Sequence, residues 1–130
     1  MTSTTVAQLP DKRRISKRVM LEILHEVNDP GVPMTLEEMG IVSRDWISIE
    51  VEDIRVKYRP TSNLCPVGMA LGVVIKSVLE EGLDMDVEVR MVTGSHFQVD
   101  LVNDLLGDRG RYEKALERLR SSGFVNRCRR

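Results

Sequence analysis

The sequence predicts an α+β domain of two layers, a three-stranded mixed sheet with helices packed on one face. Three short segments alternate apolar and polar residues, which is typical of strands that bury one face. The segments around them repeat apolar residues at helical spacing and end at glycine or proline. With 130 residues the chain has the size of one domain. A domain of this size holds a core without help from disulfides or a metal.

The first part of the chain is predicted to contain an arm, a helix and a turn. Residues 1–13 are interpreted as a flexible N-terminal arm, and residues 14–130 as a single domain. Apolar residues at helical spacing predict a helix over 15–27. The following Asn28-Asp29-Pro30-Gly31 ends it, because proline disfavours helix at and before its own position. Thr35-Leu36-Glu37-Glu38 is a capping-box pattern, which predicts a short helical turn.

The three alternating segments are residues 47–51, 54–59 and 85–91. We expect the first two to form a hairpin across Glu52-Asp53, although this turn lacks the favoured glycine. Between the second and third segments, a broad apolar side predicts a helix over 66–81. The order strand, helix, strand implies a parallel pair of strands joined by a crossover.

Two helices are predicted after the sheet. Ser95-His96-Phe97-Gln98 is a second capping-box pattern and opens a helix that Gly107 ends. Asp108 is expected to cap the last helix, and Gly123 is expected to close it.

Charge and composition exclude several classes of function. The net charge is −1, but residues 118–130 carry five arginines and no acid, so the body of the chain is acidic and a poor partner for nucleic acid. The longest uncharged stretch is too short to cross a membrane, and the first residues do not form a secretory signal. Two distant cysteines and no signal indicate free thiols in a reducing cytoplasm. No dinucleotide or phosphate loop and no nucleophile elbow is present, which predicts no organic cofactor.

Cys65 is the most informative single residue. It follows the predicted second strand and precedes Pro66, and proline is favoured at the first helical position. Cys65 is therefore expected at the N-cap, where unpaired N–H groups and the helix dipole increase the thiolate fraction of a thiol. The alternative is a small buried thiol that only packs.

His96 and Asp100 form a second candidate pair. They lie four residues apart in the predicted helix, so the carboxylate is expected to orient the imidazole while its other nitrogen binds metal or proton. The alternative is a histidine at a helix start with ordinary hydrogen bonds. The third predicted strand and the Cys65 helix are adjacent, so the topology allows His96 and Cys65 to lie at the same end of the sheet.

Two further features bear on assembly. Gly68 and Gly72 in the predicted Cys65 helix indicate close approach by the sheet or by a second subunit, or crowding inside the monomer. Two cysteines and two histidines at no known ligand spacing do not predict a stable cluster within one subunit. Two subunits that pool Cys65, or Cys65 with His96, would form a labile site for an iron–sulfur cluster or zinc.

Several motifs resemble one family over residues 17–128. They are Asp29-Pro30, Thr35 to Val42, Pro60-Thr61 followed by Cys65, Thr93 to His96, and the closing Val125 to Cys128. In these motifs the chain resembles the small domain of cytosolic iron–sulfur assembly targeting factors, which is shared with bacterial SUF-associated and PaaD-like proteins.

The resemblance implies an assembly factor, not an enzyme, that helps deliver clusters to recipient apoproteins beside scaffold or carrier proteins. It places the reactive cysteine of the family at Cys65 and its histidine at His96, with Thr61 and Asp29 of the shared motifs in support. Asp100 is a supporting residue because of its spacing to His96. The resemblance also implies a transient iron–sulfur cluster or iron. The two glycines and the need to pool ligands favour a homodimer, and the cysteines indicate cytoplasmic localisation.

Two other readings stay open from the sequence. One is a thiol enzyme with Cys65 as nucleophile, His96 as base and Asp100 as orienting group. The other is a plain interaction module in which both cysteines pack in the core.

Overall fold

The computed structural model describes residues 15–28, 32–50 and 53–129. Within these residues the backbone forms three strands and five helices, which confirms the predicted α+β class. The strands are β1 (Val42–Ile49), β2 (Ile54–Tyr58) and β3 (Glu88–Met91), and the helices are α1 (Lys17–Leu24), α2 (Gly68–Leu83), α3 (Val99–Leu106), α4 (Arg109–Ser121) and α5 (Phe124–Cys128). The arm predicted over residues 1–13 lies outside the described residues. Across the described ranges, no helix has the length and apolar character that crossing a bilayer requires.

The three strands form one mixed sheet in the order β1-β2-β3. β1 and β2 pair antiparallel as the expected hairpin, and across its turn the Glu50 N–H donates to the Asp53 carbonyl, 2.8 Å away. β2 and β3 run parallel, with Tyr58 beside Met91. α2 connects these two strands, so the predicted strand–helix–strand unit is confirmed.

Alternation along β2 decides which face of the sheet is buried. Ile54, Val56 and Tyr58 are at most 2% exposed, whereas Arg55 and Lys57 are exposed. The apolar sides of the helices join the same core, to which α2 contributes a continuous buried run. Burying one large apolar side chain is worth about 1.5–3 kcal/mol, so the shared core makes a large contribution to stability.

Several boundaries follow the predicted capping residues. Thr35 and Glu38 form a reciprocal capping box, in which the N–H of each donates to the side chain of the other at 2.8 and 3.1 Å. Asp108 caps α4 by accepting a hydrogen bond from the Arg111 N–H at 3.1 Å. Gly123 follows the end of α4 with a φ of 84°, a conformation that glycine adopts without strain.

The two ends of the described chain meet in a way that the sequence analysis did not predict. α1 stops at Leu24, three residues earlier than expected. Val27 then pairs with Arg129 in an isolated antiparallel bridge, and the Asn28 N–H donates to the Cys128 carbonyl at 2.8 Å. This pairing draws the chain out of helical geometry after α1. It also involves the short α5, for which no pattern was identified.

The capping box predicted at Ser95 is wrong. The Ser95 hydroxyl donates to the Val92 carbonyl at 2.6 Å, which closes a turn instead of opening a helix. α3 begins later, at Val99, with Gln98 as its N-cap residue. His96 therefore lies in a turn before α3 and not within the helix.

Side chains occupy much of the outer edge of β3. Next to Val87, which directly precedes β3, Lys76 donates to the carbonyl and Glu80 accepts from the N–H at 3.0 Å. Next to Met91, the side-chain amide of Asn103 accepts from the N–H at 2.7 Å and donates to the carbonyl at 3.3 Å. These contacts satisfy main-chain groups that a further strand would otherwise pair with.

Candidate functional site

The candidate site lies where the parallel strands β2 and β3 end. The Val92 N–H donates to the Tyr58 carbonyl at 2.9 Å, which keeps the two chains together beyond the sheet. Further on, the Phe97 N–H donates to the Asn63 carbonyl at 3.2 Å. The loop that contains Cys65 and the turn that contains His96 are thus joined, and both lie at the same end of the sheet, as the predicted topology allows.

His96 is buried, with 6% of its surface exposed, and both of its ring nitrogens have partners. Nδ1 lies 3.1 Å from the main-chain nitrogen of Gln98, whose N–H donates to it. Nε2 lies 2.9 Å from the main-chain carbonyl oxygen of Cys65. Because Nδ1 accepts, the geometry assigns the proton to Nε2, which donates to the carbonyl. The imidazole therefore joins the Cys65 loop to the turn before α3 through hydrogen bonds at both ring nitrogens.

The predicted role of Asp100 as the orienting group is wrong. Asp100 is exposed in the first turn of α3, while the imidazole of His96 is oriented by the main chain of Gln98 and Cys65. The spacing of four residues does not bring the side chains together, because His96 precedes the helix. Among the described residues, no hydrogen bond joins the ring of His96 to the Cys65 thiol either.

Cys65 is not the N-cap residue of α2, which corrects a second expectation. α2 begins at Gly68 with Val67 as its N-cap, and Cys65 lies in the preceding turn. There its N–H donates to the Ser62 carbonyl, and its carbonyl accepts from the Gly68 N–H, both at 3.2 Å. Cys65 is only 6% exposed. The amide groups at the helix start therefore do not hold its sulfur in the way predicted, and its burial fits the alternative of a small buried thiol.

Tyr58 is a central residue of this site that the sequence analysis treated only as part of the core. It is fully buried, and its hydroxyl donates to the Gly68 carbonyl at 2.8 Å. Burial raises the pKa of the Tyr58 phenol, and the nearby thiol of Cys65, when ionised, raises it further, against a hydrogen bond from the Gly72 main chain. Tyr58, the last residue of β2, is therefore joined through its hydroxyl to Gly68, the first residue of α2.

The two glycines of α2 are explained within the monomer. A Cβ at Gly72 would lie 2.3 Å from the Tyr58 hydroxyl oxygen, which is closer than real Cβ contacts come. A Cβ at Gly68 would lie 3.3 Å from two atoms of the His96 ring. Of the alternatives left open by the sequence, close approach by the sheet and by the His96 turn applies. The glycines therefore no longer argue for a second subunit.

Exposed apolar side chains surround the buried pair. Leu64, next to Cys65, is 71% exposed, and Phe97, next to His96, is 64% exposed. The Phe97 ring centroid lies 4.8 Å from that of His96. Leu101 is also exposed on α3. Large apolar side chains that stay exposed beside a structured site are typical of a surface that contacts other proteins.

The family resemblance also indicated Thr61 and Asp29 as supporting residues, and the structure describes only the first of them. Thr61 is exposed and lines a cleft of about 300 Å³ beside the Cys65 loop, together with Arg59, Asn63 and Ser95. Asp29 lies outside the described residues. The prediction for Asp29 therefore remains a prediction.

Metal ligands do not converge in the described part of the chain. No group of three or more His, Cys, Asp or Glu side chains is placed to hold a metal ion there. Cys128, the second cysteine, is fully buried in α5. Zinc, which the sequence also permits, gains no support from this arrangement.

Comparison with known proteins finds relatives over most of the chain, although no protein-family model matches it. The chain is 31% identical over 127 residues to cytosolic iron-sulfur assembly component 2B of Mus musculus, covering 93% of this chain and 76% of the mouse protein. It is 30% identical over 116 residues to the MIP18 family protein galla-2 of Drosophila melanogaster, covering 86% of this chain and 74% of that protein. It is also 30% identical over 114 residues to cytosolic iron-sulfur assembly component 2B of Dictyostelium discoideum, covering 84% and 70%.

Proposed function

We propose that this chain, which belongs to the family of cytosolic iron–sulfur assembly targeting factors, helps deliver clusters to recipient apoproteins through protein contacts around Cys65. Its general role is that of a cytosolic iron–sulfur assembly component and not of an enzyme. The proposal concerns the surface that meets the partner and the part taken by the thiol.

One observation supports this surface above all. The Cys65 loop and the His96 turn are joined at the ends of two parallel strands, in the region that carries the exposed Leu64 and Phe97. Ligand and partner sites of sheets with parallel strands commonly lie at the carboxyl ends of the strands. A partner that docks on Leu64 and Phe97 covers apolar surface and sits directly over the buried thiol.

The cluster is the cargo in this proposal, and Cys65 supplies one thiolate ligand. Iron–sulfur clusters usually take four thiolates, so the remaining ligands come from the partner or from a second copy of this chain. The thiol must first be uncovered, because Cys65 is 6% exposed. Residues 61–64, directly before it, are exposed, and docking at Leu64 would open this loop and release the sulfur.

Homodimer formation would be one way to pool thiols. Two copies that meet through Leu64 and Phe97 would bring two Cys65 loops face to face. Sedimentation of the chain before and after anaerobic addition of iron and sulfide tests this arrangement. Dimer formation that requires both the metal and Cys65 supports pooling, whereas a monomer that acquires a cluster excludes it.

The decisive experiment replaces the thiol. Cys65→Ser in the cells that express the chain is expected to lower the incorporation of iron into recipient iron–sulfur proteins. Cys128→Ser is the matched control, because it removes the other buried thiol far along the chain. Normal delivery by folded Cys65→Ser protein would remove the thiol from the mechanism.

A second candidate function is a docking module that uses no thiol chemistry. The observation that favours it is the burial of both cysteines, at 6% and 0% exposure. In that case Phe97→Ser abolishes delivery while Cys65→Ser does not. The thiol-enzyme alternative has no such support, because the His96 nitrogens are occupied by main-chain partners and Asp100 is exposed.

A further inference from the structure

The face of the sheet opposite the buried core is exposed and rich in cations. Along β2 the outward residues are Arg55 and Lys57, continued by Arg59, and Arg90 is an outward residue of β3. Arg55 has anionic neighbours, since Asp53 lies 3.6 Å and Glu88 3.8 Å from its guanidinium.

Lys57 and Arg90 are the unusual pair on this face. They are directly opposite each other in the register of β2 and β3. Neither forms an ion pair with another described residue within 4.0 Å. Like charges placed opposite each other on neighbouring strands destabilise a sheet. This arrangement leaves two adjacent positive charges that an external anion would neutralise.

Arg59 extends the positive charge toward the carboxyl ends of the strands. Its guanidinium lies 5.6 Å from the ring centroid of Trp46, which shares the outer face of β1 with Ser48. Arg59 also lines the cleft of about 300 Å³ beside Thr61 and the Cys65 loop. We define Lys57, Arg90, Arg59 and Trp46 as the basic strip.

We propose that the basic strip binds an extended acidic segment of a partner protein, with carboxylates at alternate positions. Lys57 and Arg59 are two residues apart along one chain. Alternate residues of an extended strand are about 6.6–6.8 Å apart, so a segment lying along β2 presents every second side chain to these cations. Trp46 adds an apolar contact and a ring for the guanidinium of Arg59. Such a segment would lead into the cleft beside the Cys65 loop.

Charge favours an acidic protein segment over a nucleic acid. The whole chain has a net charge of −1, and the strip itself offers three cations. Nucleic-acid binding depends on the number of phosphates that cations neutralise, and an acidic body repels the rest of the backbone. A short acidic segment needs only local complementarity. The proposal concerns binding alone and does not depend on the role of Cys65.

A direct binding measurement with the full chain tests the proposal. The probe is a fluorescein-labelled peptide in which glutamate and serine alternate, followed by anisotropy. Trp46 is the single tryptophan of the chain, so its emission reports contact at the strip. We expect saturable binding at low salt, a change in Trp46 emission, and loss of affinity as salt is raised.

Charge reversal identifies the surface. Lys57→Glu combined with Arg90→Glu is expected to weaken binding at least tenfold. Lys114→Glu combined with Arg118→Glu changes the net charge equally on exposed positions of α4 and is expected to leave affinity unchanged. If the reversed protein does not fold, as judged by circular dichroism, Lys57→Gln with Arg90→Gln serves in its place and is expected to weaken binding several-fold.

Three results would overturn the proposal. One is equal loss of affinity in the strip variant and the α4 control, since binding would then follow net charge alone. Another is peptide binding that leaves the emission of Trp46 unchanged. The third is tighter binding of a single-stranded oligonucleotide than of the peptide, together with loss of oligonucleotide binding in the Lys57 and Arg90 variants. This result would make the strip a nucleic-acid surface.

Discussion

The imidazole of His96 donates a hydrogen bond to the main-chain carbonyl of Cys65, across 2.9 Å, and leaves the thiol of the same residue without a bond to the ring. The histidine thus holds the backbone of the cysteine loop. Its role in this structure is to position the loop, and the covering of the sulfur depends on that position.

Removing the imidazole tests this positioning role. His96→Ala leaves the Gln98 N–H without its acceptor and the Cys65 carbonyl with only the Gly68 N–H as partner. Leaving such a group unpaired costs about 1–3 kcal/mol of unfolding free energy. The substitution also frees the loop, so we expect faster alkylation of Cys65 under native conditions. The measurement is urea unfolding together with maleimide labelling followed by mass spectrometry, in a Cys128→Ser background.

Gln98→Ala is the control for this variant, because Gln98 holds Nδ1 through its main-chain N–H and not through its side chain. It is expected to leave the labelling rate close to that of the parent protein. Equal labelling rates for His96→Ala and Gln98→Ala would contradict the idea that the imidazole keeps the loop closed.

Gly72 is expected to tolerate no side chain. In Gly72→Ala the new Cβ would lie 2.3 Å from the Tyr58 hydroxyl oxygen and 2.7 Å from the carbon that bears it. Both atoms belong to a rigid buried ring, so relief requires movement of β2 or α2. We expect a loss of unfolding free energy of about 1–3 kcal/mol or more, measured by chemical denaturation.

Gly110→Ala provides the comparison. Gly110 also lies in a helix, but a Cβ there would lie 3.5 Å from a carboxylate oxygen of Asp108, which is ordinary van der Waals contact. Replacing an unhindered helical glycine by alanine stabilises by roughly 0.5–1 kcal/mol. A similar destabilisation by Gly72→Ala and Gly110→Ala would argue against the Tyr58 ring as the reason that position 72 requires glycine.

Glu80 is expected to make stability depend on acid pH. Partial burial alone would raise the pKa of the Glu80 carboxyl, but hydrogen bonds from Arg109, from the Val87 main chain and from Lys76 hold this pKa below its ordinary value. The native state therefore binds this proton less readily than the unfolded chain. The resulting stabilisation is present above the unfolded pKa and is lost as pH falls through the native one.

The variant that checks this linkage is Glu80→Gln. It is expected to unfold at lower urea concentration than the parent at neutral pH, and to lose less further stability as the solution is acidified below about pH 4.3, the ordinary value for Glu. Glu117→Gln, an exposed position of α4, controls for the loss of one negative charge. A parent protein and a Glu80→Gln variant with parallel pH profiles would argue against the lowered pKa.

Lys57→Glu is expected to stabilise the fold, in contrast to most substitutions. It changes the like-charged pair with Arg90 into an opposite-charged pair directly across the two strands. Cross-strand pairs of this kind are worth about 0.2–1 kcal/mol. Thermal unfolding at low salt measures the gain, and high salt is expected to reduce it because the pair is exposed. If Lys57→Glu is no more stable than Lys114→Glu, repulsion between Lys57 and Arg90 does not destabilise the fold.

Much of the fold could be predicted because its signals are local. The alternation in β2 and the capping residues Thr35 and Asp108 act within a few positions of the chain, and the structure contains what they predict. The start of α2 could not be predicted in the same way. Pro66 favours a helix from its own position, but the Cys65 carbonyl, which a helix from Pro66 would use in its first turn, is bound by the His96 ring and by the Gly68 N–H. His96 comes from a distant part of the sequence.

The candidate site was predicted in outline and missed in detail for a similar reason. Strand order allows Cys65 and His96 to lie at one end of the sheet, and this juxtaposition is confirmed. The pairing of His96 with Asp100 assumed a helix that already includes His96, whereas α3 begins at Val99. Burial of the Cys65 thiol depends on tertiary packing, which the spacing of residues along the sequence does not predict.

The side chains along β3 also determine how this sheet could be extended. The side chain of Asn103 forms hydrogen bonds with the main chain of Met91 that a neighbouring strand would otherwise form. Lys76 and Glu80 do the same for the main chain of Val87. An incoming strand would have to displace three buried or half-buried side chains on that side. Main-chain pairing therefore does not enlarge the sheet beside β3 unless these side chains first move away.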